Sequence, residues 1–112
     1  MKKYSLPFLL LVALFISCRK TTTPANIDCS TAKSFATDVL PVVLTTCSYN
    51  SSCHASGSTK GPGVLVNYSQ AYSNRSSIRS AVVNGSMPEN ATLTDTQLNA
   101  IVCWIDSGAA DN

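Results

Sequence analysis

Two cysteines, Cys47 and Cys53, are separated by five residues in the stretch CSYNSSCH, and the only histidine of this 112-residue chain, His54, follows the second directly. A thiol pair with an adjacent imidazole constrains a small domain more than any hydrophobic pattern. In an exported protein such thiols are expected to be closed as a disulfide or bonded to a cofactor. Met87, in Ser86-Met87-Pro88, is the only methionine besides Met1.

The N-terminus bears on the compartment, and so on the cysteines. Lys2 and Lys3 form a basic start, Leu6 to Ile16 is an apolar run short for a spanning helix, and small Ser17 precedes Cys18. This is the pattern of an export signal, and its end, FISC, resembles the lipobox of bacterial lipoproteins, with Phe15 where that motif prefers leucine. The resemblance implies a signal over residues 1–17 and a lipid on Cys18; ordinary cleavage and a retained anchor are the alternatives. The polar RKTTTPA segment then reads as a tether over 18–27, with one domain over 28–112. Without Lys2 and Lys3, six basic residues face six acidic ones, and the absence of a basic cluster beyond Arg19-Lys20 argues against nucleic acid as a partner.

Along the domain the apolar spacing is helical. Asp38 is placed to cap a helix running to Cys47, with Pro41 in its first turn and Val39, Val43, Thr46 and Cys47 on one face. Gly61-Pro62-Gly63 marks a turn, and Val64 to Val66 is a short apolar run. Tyr68 and Tyr72, four apart, suit either a cover for a flat apolar ligand or ordinary core aromatics. A further helix runs from Ser76 or Ser77 to Asn84, stopped by Gly85, and the last helix opens on a Thr94/Gln97 capping box and ends at Gly108. No stretch alternates strictly enough for a strand, so the fold class is all-α, with four to five short helices.

Two thiols, one imidazole and one thioether are together the groups that hold a haem by its edge and ligate its iron from both faces. The rival reading closes Cys47 and Cys53 into a disulfide ring and leaves His54 on the surface. A histidine next to the second thiol loses little further freedom when it ligates. Pro88 stiffens the loop that carries Met87.

The succession Phe35, DVLP (38–41), CSYNSSCH, Gly63, Leu65, Tyr68, Ile78, VVNGSMP (82–88), LTDTQ (93–97) and IVCWIDSGA (101–109) resembles the small class I cytochrome c domains of bacterial exported lipoproteins, including those with a widened haem motif. The resemblance covers about Asp38 to Asn112. It implies one haem c, with thioether links at Cys47 and Cys53 and iron ligands His54 and Met87. It also implies that the last helix crosses the first near Trp104. The departure is the spacing, which is C-x-x-C-H in the usual motif, and attachment through Cys53 alone is the alternative. Cys29 and Cys103 are then left over, and packing of the first and last helical regions would bring them within reach of a disulfide.

The expected protein is a membrane-tethered electron carrier rather than an enzyme, facing the periplasm or the cell exterior. Other redox proteins would be its partners, and Val64, Leu65, Tyr68, Tyr72, Ile78 and Val82 would bury the haem. His54 is the sole histidine, and a Cys53–His54 hydrolytic pair lacks an orienting third group. The alternative is a cofactor-free lipoprotein domain stapled by Cys47–Cys53 and Cys29–Cys103. The five Asn-x-Ser/Thr triplets, at Asn50, Asn67, Asn74, Asn84 and Asn90, read as composition.

Overall fold

The computed structural model describes residues 26–112, and the expectations for the signal, Cys18 and the tether through Ala25 lie outside them. Four helices and no strand occur among the described residues: α1 over 35–47, α2 Tyr68–Ser73, α3 Arg75–Asn84 and α4 Asp95–Asp106. None of these helices is long and apolar enough to cross a membrane.

α1 starts earlier than Asp38. Ser34 is its N-cap, accepting from Thr37 N–H at 3.4 Å, while Asp38 reaches back from within the first turn to accept from Ser34 N–H at 2.7 Å. Pro41 therefore lies in the interior, where its ring crowds the preceding turn and one N–H is lost. The helix accommodates it by widening. Phe35–Val39 and Val43–Cys47 are π-helical turns around a short α-helical piece, Leu40–Val42. Phe35, Val39, Val42 and Val43 are buried on one face, whereas Leu44 faces solvent.

α4 forms the other half of the core. Its capping box is present as expected, with Gln97 N–H donating to Thr94 Oγ1 at 3.2 Å and Thr94 N–H donating to Gln97 Oε1 at 2.9 Å. Leu98, Ala100, Ile101, Val102, Cys103 and Trp104 are all buried, so the middle of this helix is covered on every side. Trp104 lies 5.2 Å from Phe35 between ring centroids, which puts the crossing of the last and first helices where it was expected.

After α4 the chain doubles back through two left-handed residues, Gly108 at φ 112° and Ala109 at φ 54°. This turn lets Ala109 N–H donate to Trp104 O at 2.8 Å and Trp104 Nε1–H donate to Ala110 O at 2.8 Å. Asn112 then caps α1: its side-chain oxygen accepts from Phe35 N–H at 2.9 Å and its backbone oxygen from Ala36 N–H at 2.8 Å. A disulfide joins Cys29 to Cys103, as expected, and fixes the N-terminal segment on α4.

Tyr68 is a core aromatic. It packs on Phe35 at 5.3 Å and on Trp104 at 6.2 Å, and its hydroxyl donates to Ala109 O at 3.0 Å. Tyr72 is partly exposed under the Arg75 guanidinium, 4.0 Å from its ring centre.

Candidate functional site

The C-terminal end of α1, the loop that follows it, α3 and the loop after α3 enclose a cleft of about 670 Å³, with a smaller cavity of about 360 Å³ beside it. Both are bordered by Cys47, His54, Gly61, Val82 and Met87. Cys53 lines the larger one. The three expected haem-site residues of the CSYNSSCH stretch and the distant Met87 thus border one region of the molecule.

Each is held by identifiable local structure. Cys47 ends α1, where the last π-helical turn closes by Ser48 N–H donating to Val43 O at 2.8 Å. The five residues after it form a closed loop, because His54 N–H returns to Cys47 O at 3.0 Å. Asn50 supports the loop from inside: its side-chain oxygen accepts from Ser52 N–H at 2.9 Å and Cys53 N–H at 3.2 Å, an Asx turn. Ser48 Oγ–H donates to Leu65 O and Ser58 Oγ–H to Cys53 O, tying the loop to its surroundings.

His54 is the only buried polar or charged side chain among the described residues, at 6% exposure. Its Nδ1 lies 2.8 Å from Gly63 O, and a carbonyl can only accept, so Nδ1 carries a proton and Nε2 is the ring nitrogen left without that partner. The backbone is pinned as well, with Leu65 N–H donating to His54 O at 2.7 Å. Gly63, at φ 99°, makes the turn that aims its carbonyl at the ring. This arrangement orients the imidazole through its Nδ1 side.

Met87 follows α3, which stops at left-handed Gly85 as expected. Its N–H donates to Ala81 O at 3.2 Å, and Ser86 N–H donates to Asn84 Oδ1 at 2.8 Å, so the loop is folded back on the helix end. Burial, with a smaller contribution from neighbouring Cys53, pushes the Cys47 thiol above its ordinary value and keeps it protonated at neutral pH.

Several expectations need correction. Cys47 and Cys53 are free thiols, so the Cys47–Cys53 bridge of the cofactor-free alternative is absent while Cys29–Cys103 is formed. Of the side chains expected around the cofactor, Leu65, Ile78 and Val82 line the cavities, whereas Val64, Tyr68 and Tyr72 do not. Tyr68 is drawn into the aromatic core by Phe35 and Trp104 instead.

The residues present fit a haem. A planar group needs an apolar-walled cleft of several hundred Å³, and this one falls in the usual range of ~300–1,000 Å³ for ligand sites. Among the described residues no group of three or more His, Cys, Asp or Glu side chains converges to hold a metal ion. The thiols and imidazole therefore border a cleft rather than form a zinc-type cage, whose ligands would have to converge on one point. One imidazole and one thioether suffice where a macrocycle supplies the other ligands.

Gly63, expected only as part of a turn, orients His54 through its carbonyl, and Asn50, expected only as composition, holds the loop. Asn67, Asn74 and Asn84 belong with Asn50. Asn67 caps α2 by accepting from Gln70 N–H at 3.0 Å, Asn74 donates to Gln70 O at 2.9 Å and Asn84 holds the Met87 loop. Their Asn-x-Ser spacing was a turn signal that could have been read as such. No protein-family model, curated protein or solved structure matches this chain.

Proposed function

We propose that this protein is an exported electron carrier of the small class I cytochrome c kind, holding one haem c and tethered to a bacterial membrane through lipidated Cys18. The observation that carries the reading is a single cleft bordered by two free thiols, a thioether and a buried histidine whose Nδ1–H is committed to Gly63 O. His54 would hold the iron through Nε2, Met87 through its sulfur, and Cys53 and Cys47 would be the thioether links. When bound, the haem would supply one-electron exchange between ferric and ferrous iron.

The chain's own residues then define what such a carrier does. His54 is oriented before any ligand arrives, which lowers the ordering cost of ligation. Leu65, Ile78, Val82 and Leu93 exclude water from the cleft walls. With both protein ligands engaged, no position is left for substrate, so the protein is not an enzyme. Lys60 and Glu89, of opposite sign, are the charged residues lining the cleft, so docking of other redox proteins depends weakly on salt.

The full chain is to be made in an exporting host with haem-attachment machinery, and its denatured mass and reduced-minus-oxidised absorption recorded on one sample. The expected result is a mass raised by one haem and sharp reduced bands that survive denaturation. His54→Ala should retain the added mass but lose the six-coordinate spectrum. A colourless wild-type chain would overturn the reading.

A further inference from the structure

Residues 55–63, ASGSTKGPG, border the cleft although they carry no large apolar side chain to anchor them. Lys60 and Gly61 line the larger cavity, and Gly61 and Pro62 the smaller. The segment is therefore placed by its hydrogen bonds. Ser58 N–H donates to Ala55 O at 3.0 Å and Gly63 N–H donates to Lys60 O, which makes two backbone turns. Among the described residues, Ser58 is the one member of the segment whose side chain makes hydrogen bonds. Its hydroxyl donates to Cys53 O and accepts from Lys60 N–H at 3.2 Å, using both of its functions. These bonds close a circuit. It runs from Cys53 O through Ser58 to Lys60, from Lys60 O to Gly63, and from Gly63 O to His54 Nδ1 at 2.8 Å, one residue beyond where it began.

We propose that Ser58 is a positioning residue for His54: its hydroxyl ties the turn that ends at Gly63 back to the Cys53 carbonyl, and so keeps the Gly63 carbonyl on the Nδ1 side of the ring. Leu65 N–H, donating to His54 O at 2.7 Å, holds the chain beyond that carbonyl. Before it stands Gly63 at φ 99°, the residue type with the most backbone freedom, so the direction of the carbonyl depends on how the preceding turn enters Gly63. Loss of the hydroxyl releases Lys60 N–H and Cys53 O together, and the turn regains backbone freedom that the two bonds had removed. The use of an oriented imidazole rests on the electron-carrier reading; the orientation itself does not.

The chain has a single histidine, so one imidazole N–H signal is assigned without ambiguity. The full chain, without a histidine tag, is to be exported from a host lacking haem-attachment machinery and labelled with isotopic histidine. Exchange of the His54 Nδ1–H with water is then measured by NMR at one fixed pH. In wild type the proton should exchange slowly enough to give a sharp signal. Ser58→Ala should exchange it about tenfold faster, equivalent to about 1.4 kcal/mol. Ser58→Thr, which keeps the hydroxyl, should restore the wild-type rate. Ile101→Val, which thins the core between α1 and α4, should lower the denaturant midpoint without moving the His54 rate. Far-UV circular dichroism establishes that each variant is folded, and the wild-type signal and Ser58→Thr keep the proposal open to failure should Ser58→Ala not fold. A signal already lost to exchange in wild type, an unchanged rate in folded Ser58→Ala, a Ser58→Thr chain that behaves like Ser58→Ala, or equal acceleration in Ile101→Val would each overturn the proposal. A colourless product in the haem-attaching host would sink the electron-carrier reading without changing these rates.

Discussion

The two ends of α1 are built differently. At its start Phe35 meets Trp104 and Tyr68, and the largest fully buried side chains, Trp104, Ile101, Val39, Val43 and Val102, fill the space between α1 and α4. At its finish Cys47 opens onto a cleft of about 670 Å³, and the loops around it are held by hydrogen bonds from Asn50, Ser48, Ser58 and His54 rather than by apolar packing. Protein interiors are normally close-packed. This chain fills one end of its core and leaves a largely apolar cleft at the other. One helix connects the two ends, so order at the closed end determines where Cys47 sits.

The largest predicted effect breaks that dependence. Trp104→Ala removes the contacts with Phe35 and Tyr68 and the bond from Nε1 to Ala110 O, and should cost about 5 kcal/mol. That is comparable to the whole stability of a small domain. Far-UV circular dichroism should show loss of helix throughout. A variant that kept its helices would mean that the two ends are independent.

Removing the disulfide should separate stability from geometry. The bridge closes a 74-residue separation, and loop-closure entropy puts its contribution at about 4 kcal/mol. Most of that acts on the unfolded chain. Cys29→Ala with Cys103→Ala should therefore lower the denaturant midpoint, followed by Trp104 fluorescence, while the folded variant keeps the alkylation rates of Cys47 and Cys53. Altered rates in the folded state would show that the bridge also shapes the cleft.

The closed end was legible in the sequence and the cleft end only in outline, for one physical reason. The capping box at Thr94, the stop at Gly85 and the apolar stripe of α4 follow from local spacing, which the chain states directly, whereas the crossing near Trp104 came only from the resemblance. The start of α1 was misplaced because Asp38 and Ser34 are both good caps. Pro41 suggested a first turn, and only the widened π-helical turns allow it in the interior. At the cleft, Cys47, Cys53, His54 and Met87 were singled out by their chemistry, and all four border it. The partners that hold them were not, because Gly63 acts through a backbone carbonyl and Asn50 through a turn. The lining was overestimated at Tyr68, whose spacing with Tyr72 is equally that of a core aromatic.

The smallest predicted effect lies on the seam between the two regions. α3 presents Ile78 and Val82 to the cleft, and its Arg79 reaches α4, with Nε 2.6 Å and Nη2 2.9 Å from the two oxygens of Asp106. The Arg79 guanidinium holds the Asp106 carboxyl below its ordinary value of 3.8. Both side chains are about 40% exposed, at 40% and 42%, so solvent screens the pair and its contribution is about 0.5 kcal/mol. Because the folded value is the depressed one, that contribution is complete above the ordinary carboxylate value and is lost as pH falls below 3.8 through the folded value. Arg79→Met should therefore be less stable than wild type by about 0.5 kcal/mol at pH 7, and the gap should close in acid and narrow in high salt. A gap of the same size at pH 7 and in acid would mean that the arginine acts through its aliphatic stem, as packing between α3 and α4. The seam would then belong with the closed end of the molecule.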